Sequence, residues 1–176
     1  MKKGIKKPIY QNNKEIFLAS SLCSYSISHL QYKDKIRFYY ALKGRDGSSG
    51  LLPASGIKQL AKSVLLINKQ QEKQVNDFLK FWKCKTKFLK ISSPSTSPNS
   101  ILISYKISHL QYKDKIRFYY ALKGRDGSSG ILANKKLIQL AKTALLVPLE
   151  LDSEFQDFLR HWNCKFSRIK VRLENE

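Results

Sequence analysis

Residues 27–50, ISHLQYKDKIRFYYALKGRDGSSG, recur letter for letter as residues 107–130. Whatever this chain folds into must therefore hold the same 24-residue segment twice. Extending the match at a constant offset of 80 pairs residues 24–91 with 104–171, and 40 of those 68 pairs are identical. Each copy is thus a complete structural unit of about 70 residues. Two copies are too few for a solenoid. They form either two similar domains side by side or one body of pseudo-two-fold arrangement, in which each half covers the other's open face. The second is preferred, because a lone unit of this size buries only a small core.

The divisions follow from the repeat. Residues 1–20 are a basic flexible N-terminal segment, 21–91 the first repeat unit, 92–100 a Ser/Pro linker reading SSPSTSPNS within it, and 101–173 the second unit.

Periodicity supplies the elements. Cys23, Tyr25 and Ile27 alternate with serines, and Ile103, Tyr105 and Ile107 match them, so a half-buried strand opens each unit. KIRFYYAL alternates Ile36, Phe38, Tyr40 and Leu42 with Lys35, Arg37, Tyr39 and Lys43, which predicts a second strand with one core face and one cationic face. KGRDGSSG holds an Asp-Gly pair suited to a hairpin turn, leading into a third strand near residues 50–52, and is a weak candidate for a phosphate loop. Ile57, Leu60, Ala61, Val64 and Leu65 fit an amphipathic helix. Val75, Phe78, Leu79 and Trp82 fit another, and residues 84–91 and 164–173 read as closing strands. The fold class expected is α+β, with tandem duplicated β-β-β-α-α-β units and antiparallel sheets.

With 42% hydrophobic and 11% aromatic residues the chain can bury a real core. Its 33 Lys and Arg against 13 Asp and Glu leave a net charge of +20, which repels itself strongly unless a polyanion neutralises it. The first copy carries +10 (14 basic, 4 acidic) and the second +7 (13 and 6), so both units are basic. Nucleic acid is the partner this points to. Duplex DNA is favoured over RNA because two related units suit two half-sites, and the chain is expected to act as a monomer.

The cationic face of the second strand is the candidate contact surface: Lys35, Arg37, Tyr39 and Lys43, repeated as Lys115, Arg117, Tyr119 and Lys123, with Arg45 and Arg125 at the tips of the following turns. Guanidinium and ammonium groups spaced two residues apart on a strand match successive phosphates, and a tyrosine among them can stack on a base.

No cofactor or metal is expected. Cys23, Cys84 and Cys164 lack any C-x-x-C or Cys/His cluster, and their odd number suits a reducing intracellular compartment such as cytoplasm, nucleoid or organelle. No stretch of 18 consecutive apolar residues occurs, so membrane spanning is not expected. His29 and His109 have no acidic or cysteine partner in sequence, and Trp82 and Trp162 lie on apolar stripes.

The alternative is a metal-dependent, site-specific endonuclease. The duplicated basic plan is similar in outline to single-chain homing endonucleases, but the LAGLIDADG motif whose acids bind metal is absent from both copies. The shared acids, Asp34, Asp46 and Asp77 with Asp114, Asp126 and Asp157, are scattered. An RNA-binding or ribosome-associated structural protein is a third reading.

Overall fold

The computed structural model describes residues 20–53, 56–92, 97–133 and 136–174. The expected N-terminal segment lies outside them except for Ser20, which already belongs to a strand. Of the expected linker, residues 93–96 lie outside them, while Ser92 and Ser100 are strand residues.

The protein is α+β, with one eight-stranded antiparallel sheet and four α-helices among the described residues. The first half runs β1 (Ser20–Ser26), α1 (Tyr32–Lys43), β2 (Ile57–Ala61), β3 (Val64–Asn68), α2 (Glu72–Phe81) and β4 (Lys85–Ser92). The second runs β5 (Ser100–Lys106), α3 (Tyr112–Lys123), β6 (Ile138–Ala141), β7 (Ala144–Pro148), α4 (Asp152–His161) and β8 (Lys165–Leu173). Each half is therefore β-α-β-β-α-β, the split-βαβ plan, and not β-β-β-α-α-β. The opening strands, the second helices and the closing strands stand where periodicity put them. The segments between are exchanged: the expected strand is a helix, and the expected helix is a hairpin.

Residues 32–43 form a helix because their deepest contacts lie four apart. Phe38 and Leu42 are fully buried, whereas Ile36 and Tyr40, which an alternating strand would bury beside them, are exposed. Asp34 sits in the first turn and Lys43 in the last, each favourable to the helix dipole. Gly44, at φ +79°, ends the helix by donating its N–H to Tyr40 O at 2.8 Å. The next residues make neither a hairpin turn nor a third strand. They fold back so that Leu51 and Leu52 N–H bond the carbonyls of Ala41 and Leu42 at 3.1 and 2.8 Å. A Cβ on Gly50 would lie 2.6 Å from Leu42 O, so the return requires glycine there.

Residues 57–68 are β2 and β3 joined at Lys62–Ser63. Leu65 and Ile67 pack toward the helices while Val64 and Leu66 pack on the opposite side. A run buried on both faces carries no alternation, and for such a run helix and strand periods cannot be separated in sequence. The turn is pinned from β1: Tyr25 N–H bonds Ser63 O at 3.0 Å, and the buried Tyr25 hydroxyl donates to Lys62 O at 2.9 Å. Tyr105 does the same with Thr143 and Lys142.

The strand order is β2-β3-β1-β4-β8-β5-β7-β6. Cys23 pairs with Leu65 and Phe88, and Ile103, its partner at the 80-residue offset, pairs with Leu145 and Arg168. Among the described residues, Ile91↔Leu173 and Ser92↔Arg172 join the halves in the sheet. The seam is extended by Glu174 N–H to Lys90 O, and Asn99 accepts from Leu173 N–H and donates to Leu173 O.

Each pair of helices covers one side of its own half-sheet, over clusters centred on Phe38 and Phe118. The helix-free sides supply Leu22, Val64, Leu66 and Ile91 from one half and Leu102, Ala144, Leu146 and Val171 from the other, as a single buried cluster. Leu66 and Ala144 are buried within this cluster, to which both half-sheets contribute. The helices α1 and α3 thus lie on the sides of their half-sheets away from the shared cluster.

Candidate nucleic-acid interface

Because α1 is a helix, its side chains fan out at about 100° per residue instead of alternating at 180°. The expected single cationic face is divided accordingly. Lys35 and Tyr39 flank the core edge and are partly buried. Lys43 and Lys62, 5.8 and 5.6 Å from the Tyr39 ring centre, cover that ring with positive charge. Arg37 points outward on another side and meets Asp34 at 3.4 Å, an exposed pair that contributes little. Arg45 leaves the helix end and lies 5.2 Å over the Tyr40 ring.

In α3 the division repeats. Lys115 and Tyr119 are partly buried, Lys123 is exposed, Arg117 stands 3.6 Å from Asp114, and Arg125 lies 5.6 Å over Tyr120.

The outward face of α1 gathers residues that an alternating strand would have scattered. Directly opposite the Phe38–Leu42 edge stands Tyr40, flanked by Tyr32 and Ile36 at four-residue intervals, with Lys33, Arg37 and Lys43 among them. Seven large apolar side chains are exposed among the described residues; five of them, Tyr32, Ile36, Tyr40, Tyr112 and Tyr120, lie on these two helix faces. Tyr32 and Tyr112 are each 78% exposed. Soluble surfaces rarely concentrate apolar groups in this way without a partner. The spacing 32-36-40 was readable in the sequence as a helical stripe, but the stronger alternation concealed it.

A second charged feature emerges from the sheet. None of the eight strands contains Asp or Glu, whereas β4 carries Lys85, Lys87 and Lys90 and β8 carries Lys165, Arg168, Lys170 and Arg172. All seven are exposed, and Lys106 stands directly opposite Lys165 across β5 and β8. Like charges so placed destabilise a sheet. Among the described residues Arg168 meets a carboxylate, that of Asp152 at the start of α4.

Asp46 and Asp126 are occupied within their own loops. Asp46 accepts hydrogen bonds from the N–H groups of Ser48 and Ser49, both at 2.9 Å, and from their hydroxyls at 2.7 and 2.8 Å. These bonds hold its carboxyl well below the usual carboxylate range, and Asp126 is held likewise by Ser128 and Ser129. The loop's N–H groups are thereby taken by a carboxylate, which removes the basis for a phosphate loop. Among the described residues no three His, Cys, Asp or Glu side chains come together as a metal site.

The Asp46 contribution to loop order is complete above the ordinary carboxylate pKa of about 3.9, declines below it, and is gone once pH passes under the lowered folded value. Carboxyl carbon shifts measured by NMR should show Asp46 and Asp126 still ionised at about pH 3. Protonation of both by that pH would disprove the hydrogen-bonded loop.

The remaining candidates are structural. His29 Nε2 lies 3.0 Å from Trp82 O and His109 Nε2 2.9 Å from Trp162 O, tying each first loop to the end of the second helix. Trp82 and Trp162 pack edge-on against Phe38 and Phe118 at 5.6 and 5.7 Å. All three cysteines are unpaired, and burial pushes the Cys23 thiol up to about 12. No helix among the described residues is long and apolar enough to cross a membrane. Comparison with known protein families and with curated proteins finds no match to this chain.

Proposed function

We propose that this chain is a nucleic-acid-binding protein that holds duplex DNA on the outward faces of α1 and α3. The observation that carries the reading is the composition of those faces. Exposed aromatic rings interleaved with Lys and Arg offer phosphates a counter-charge and bases or sugars a stacking surface, a pairing suited to nucleic acid. Lys33, Arg37, Lys43 and Arg45, with Lys113, Arg117, Lys123 and Arg125, neutralise phosphates. The strand cations of β4 and β8 add to the positive field that draws the polyanion in.

The halves are further proposed to be related by a pseudo-two-fold axis at the β4–β8 seam. Ser92 and Arg172 support this, since they occupy the same position in the two copies, 80 residues apart, and pair with each other in an antiparallel ladder. A residue facing its own equivalent across such a ladder is what a two-fold axis produces.

The test is a binding titration of a labelled duplex over a range of salt. Each phosphate neutralised contributes about −0.9 to the slope of log K against log salt, so four to eight contacts give about −4 to −7. Absent or salt-insensitive binding to both DNA and RNA would falsify the proposal. Tighter binding to a structured RNA than to duplex DNA would overturn the choice of DNA alone.

A further inference from the structure

We infer that one chain bridges two separate DNA segments, one on each outer side of the body, an inference that rests on the binding function proposed above. The α1 and α3 segments are identical in sequence, YKDKIRFYYALK in both, so whatever one face binds the other binds by the same contacts. The faces look away from each other. Between them lie a helix layer, a half-sheet, the shared apolar cluster of Leu22, Leu66, Leu102 and Leu146, the second half-sheet and the second helix layer.

Layers of this kind stack at about 10 Å, which sets the axes of α1 and α3 about 30 Å apart on opposite sides. Duplex DNA is stiff over about 150 base pairs. A straight segment seated on Tyr40 and Arg37 therefore runs away from Tyr120 and Arg117, and it cannot turn back round so thin a body. The second face is left to a second duplex. This separates the molecule from a dimeric reader whose two recognition elements face one duplex a helical turn apart.

The experiment uses the full chain and a duplex of about 16 base pairs, roughly one and a half turns, in immobilised and labelled forms. The wild-type chain is expected to retain the labelled duplex on beads carrying the unlabelled one, and to saturate at two duplexes per chain in sedimentation. A one-face variant, Lys33→Glu with Arg37→Glu, is expected to saturate at one duplex with affinity changed less than threefold, and to lose capture. The matching variant Lys113→Glu with Arg117→Glu should behave identically, and the binding each retains shows that it is folded.

A wild-type chain that binds one duplex tightly but never captures a second overturns bridging and leaves DNA binding intact. One-face variants that still capture the second duplex overturn it as well, because bridging would then come from self-association. Failure to bind any duplex overturns both readings.

Discussion

Reversing charge on both helix faces at once, with Lys33→Glu, Arg37→Glu, Lys113→Glu and Arg117→Glu, should weaken duplex binding by about two to four orders of magnitude at moderate salt. Each lost phosphate contact removes about 1 kcal/mol or more and about 0.9 from the salt slope, and four glutamates add repulsion. Each duplex loses two contacts, so the slope should fall by roughly two units. Stability should hardly move. Lys33, Arg37, Lys113 and Arg117 are exposed, and the Arg37–Asp34 and Arg117–Asp114 pairs are long and solvated.

Reversal of Lys85, Lys87, Lys90 and Lys170 to Glu is the informative comparison. On the present reading it lowers affinity less, because those strand cations act through the field and not through contact. If the strand variant loses binding while the helix variant keeps it, the contact surface belongs to the β4–β8 seam. Measuring both melting temperatures beside the affinities separates lost contacts from lost fold.

The second large effect concerns the shared core. Leu66→Asp should cost about 5 kcal/mol or more, comparable with the whole stability of an ordinary domain, and leave the chain largely unfolded. Leu66 is 1% exposed and lies in the apolar cluster contributed by both half-sheets. A carboxylate there would be cut off from water among Leu22, Val64 and their counterparts from the second half, with the Lys58 opposite it on β2 as its one cross-strand cation. Leu66→Ala, which adds no charge, should cost about 2–5 kcal/mol.

The substitution also decides between two structures for residues 57–68. In a helix with Ile57, Leu60, Ala61, Val64 and Leu65 inward, position 66 is off the apolar stripe and Asp is tolerated there. In β3 it faces the other half of the molecule. Chemical denaturation followed by circular dichroism distinguishes these outcomes, and a Leu66→Asp chain as stable as wild type would remove both β3 and the face-to-face packing.

The duplication, the basic character of both units, the opening and closing strands and the second helices were all legible in the amino-acid order. Each rests on information local to its own segment: identity at an offset of 80, a count of charges, an uninterrupted period of two or of about 3.6. Residues 84–91 and 164–173 read as strands, the second through the alternation of Ile169, Val171 and Leu173 with Arg168, Lys170 and Arg172, and the segment of Val75, Phe78, Leu79 and Trp82 reads as a helix through its period of about 3.6.

The tertiary structure alone decided the two middle segments. KIRFYYAL satisfies both periods, since Phe38 and Leu42 are four apart as well as two positions from Tyr40. What selects the helix is the β-α-β-β plan, in which residues 32–43 must cover β1 while β3 pairs with it along Ser20–Ser24. Residues 64–67 are apolar throughout because they are buried on both sides, by helices on one and by the other half-sheet on the opposite one, and burial on two sides erases any period. The contact surface changed for the same reason. Once α1 turns at 100° per residue, Tyr32, Ile36 and Tyr40 come together on the outside with Lys33 and Arg37, a grouping that depends on where the core lies and not on the order of the residues.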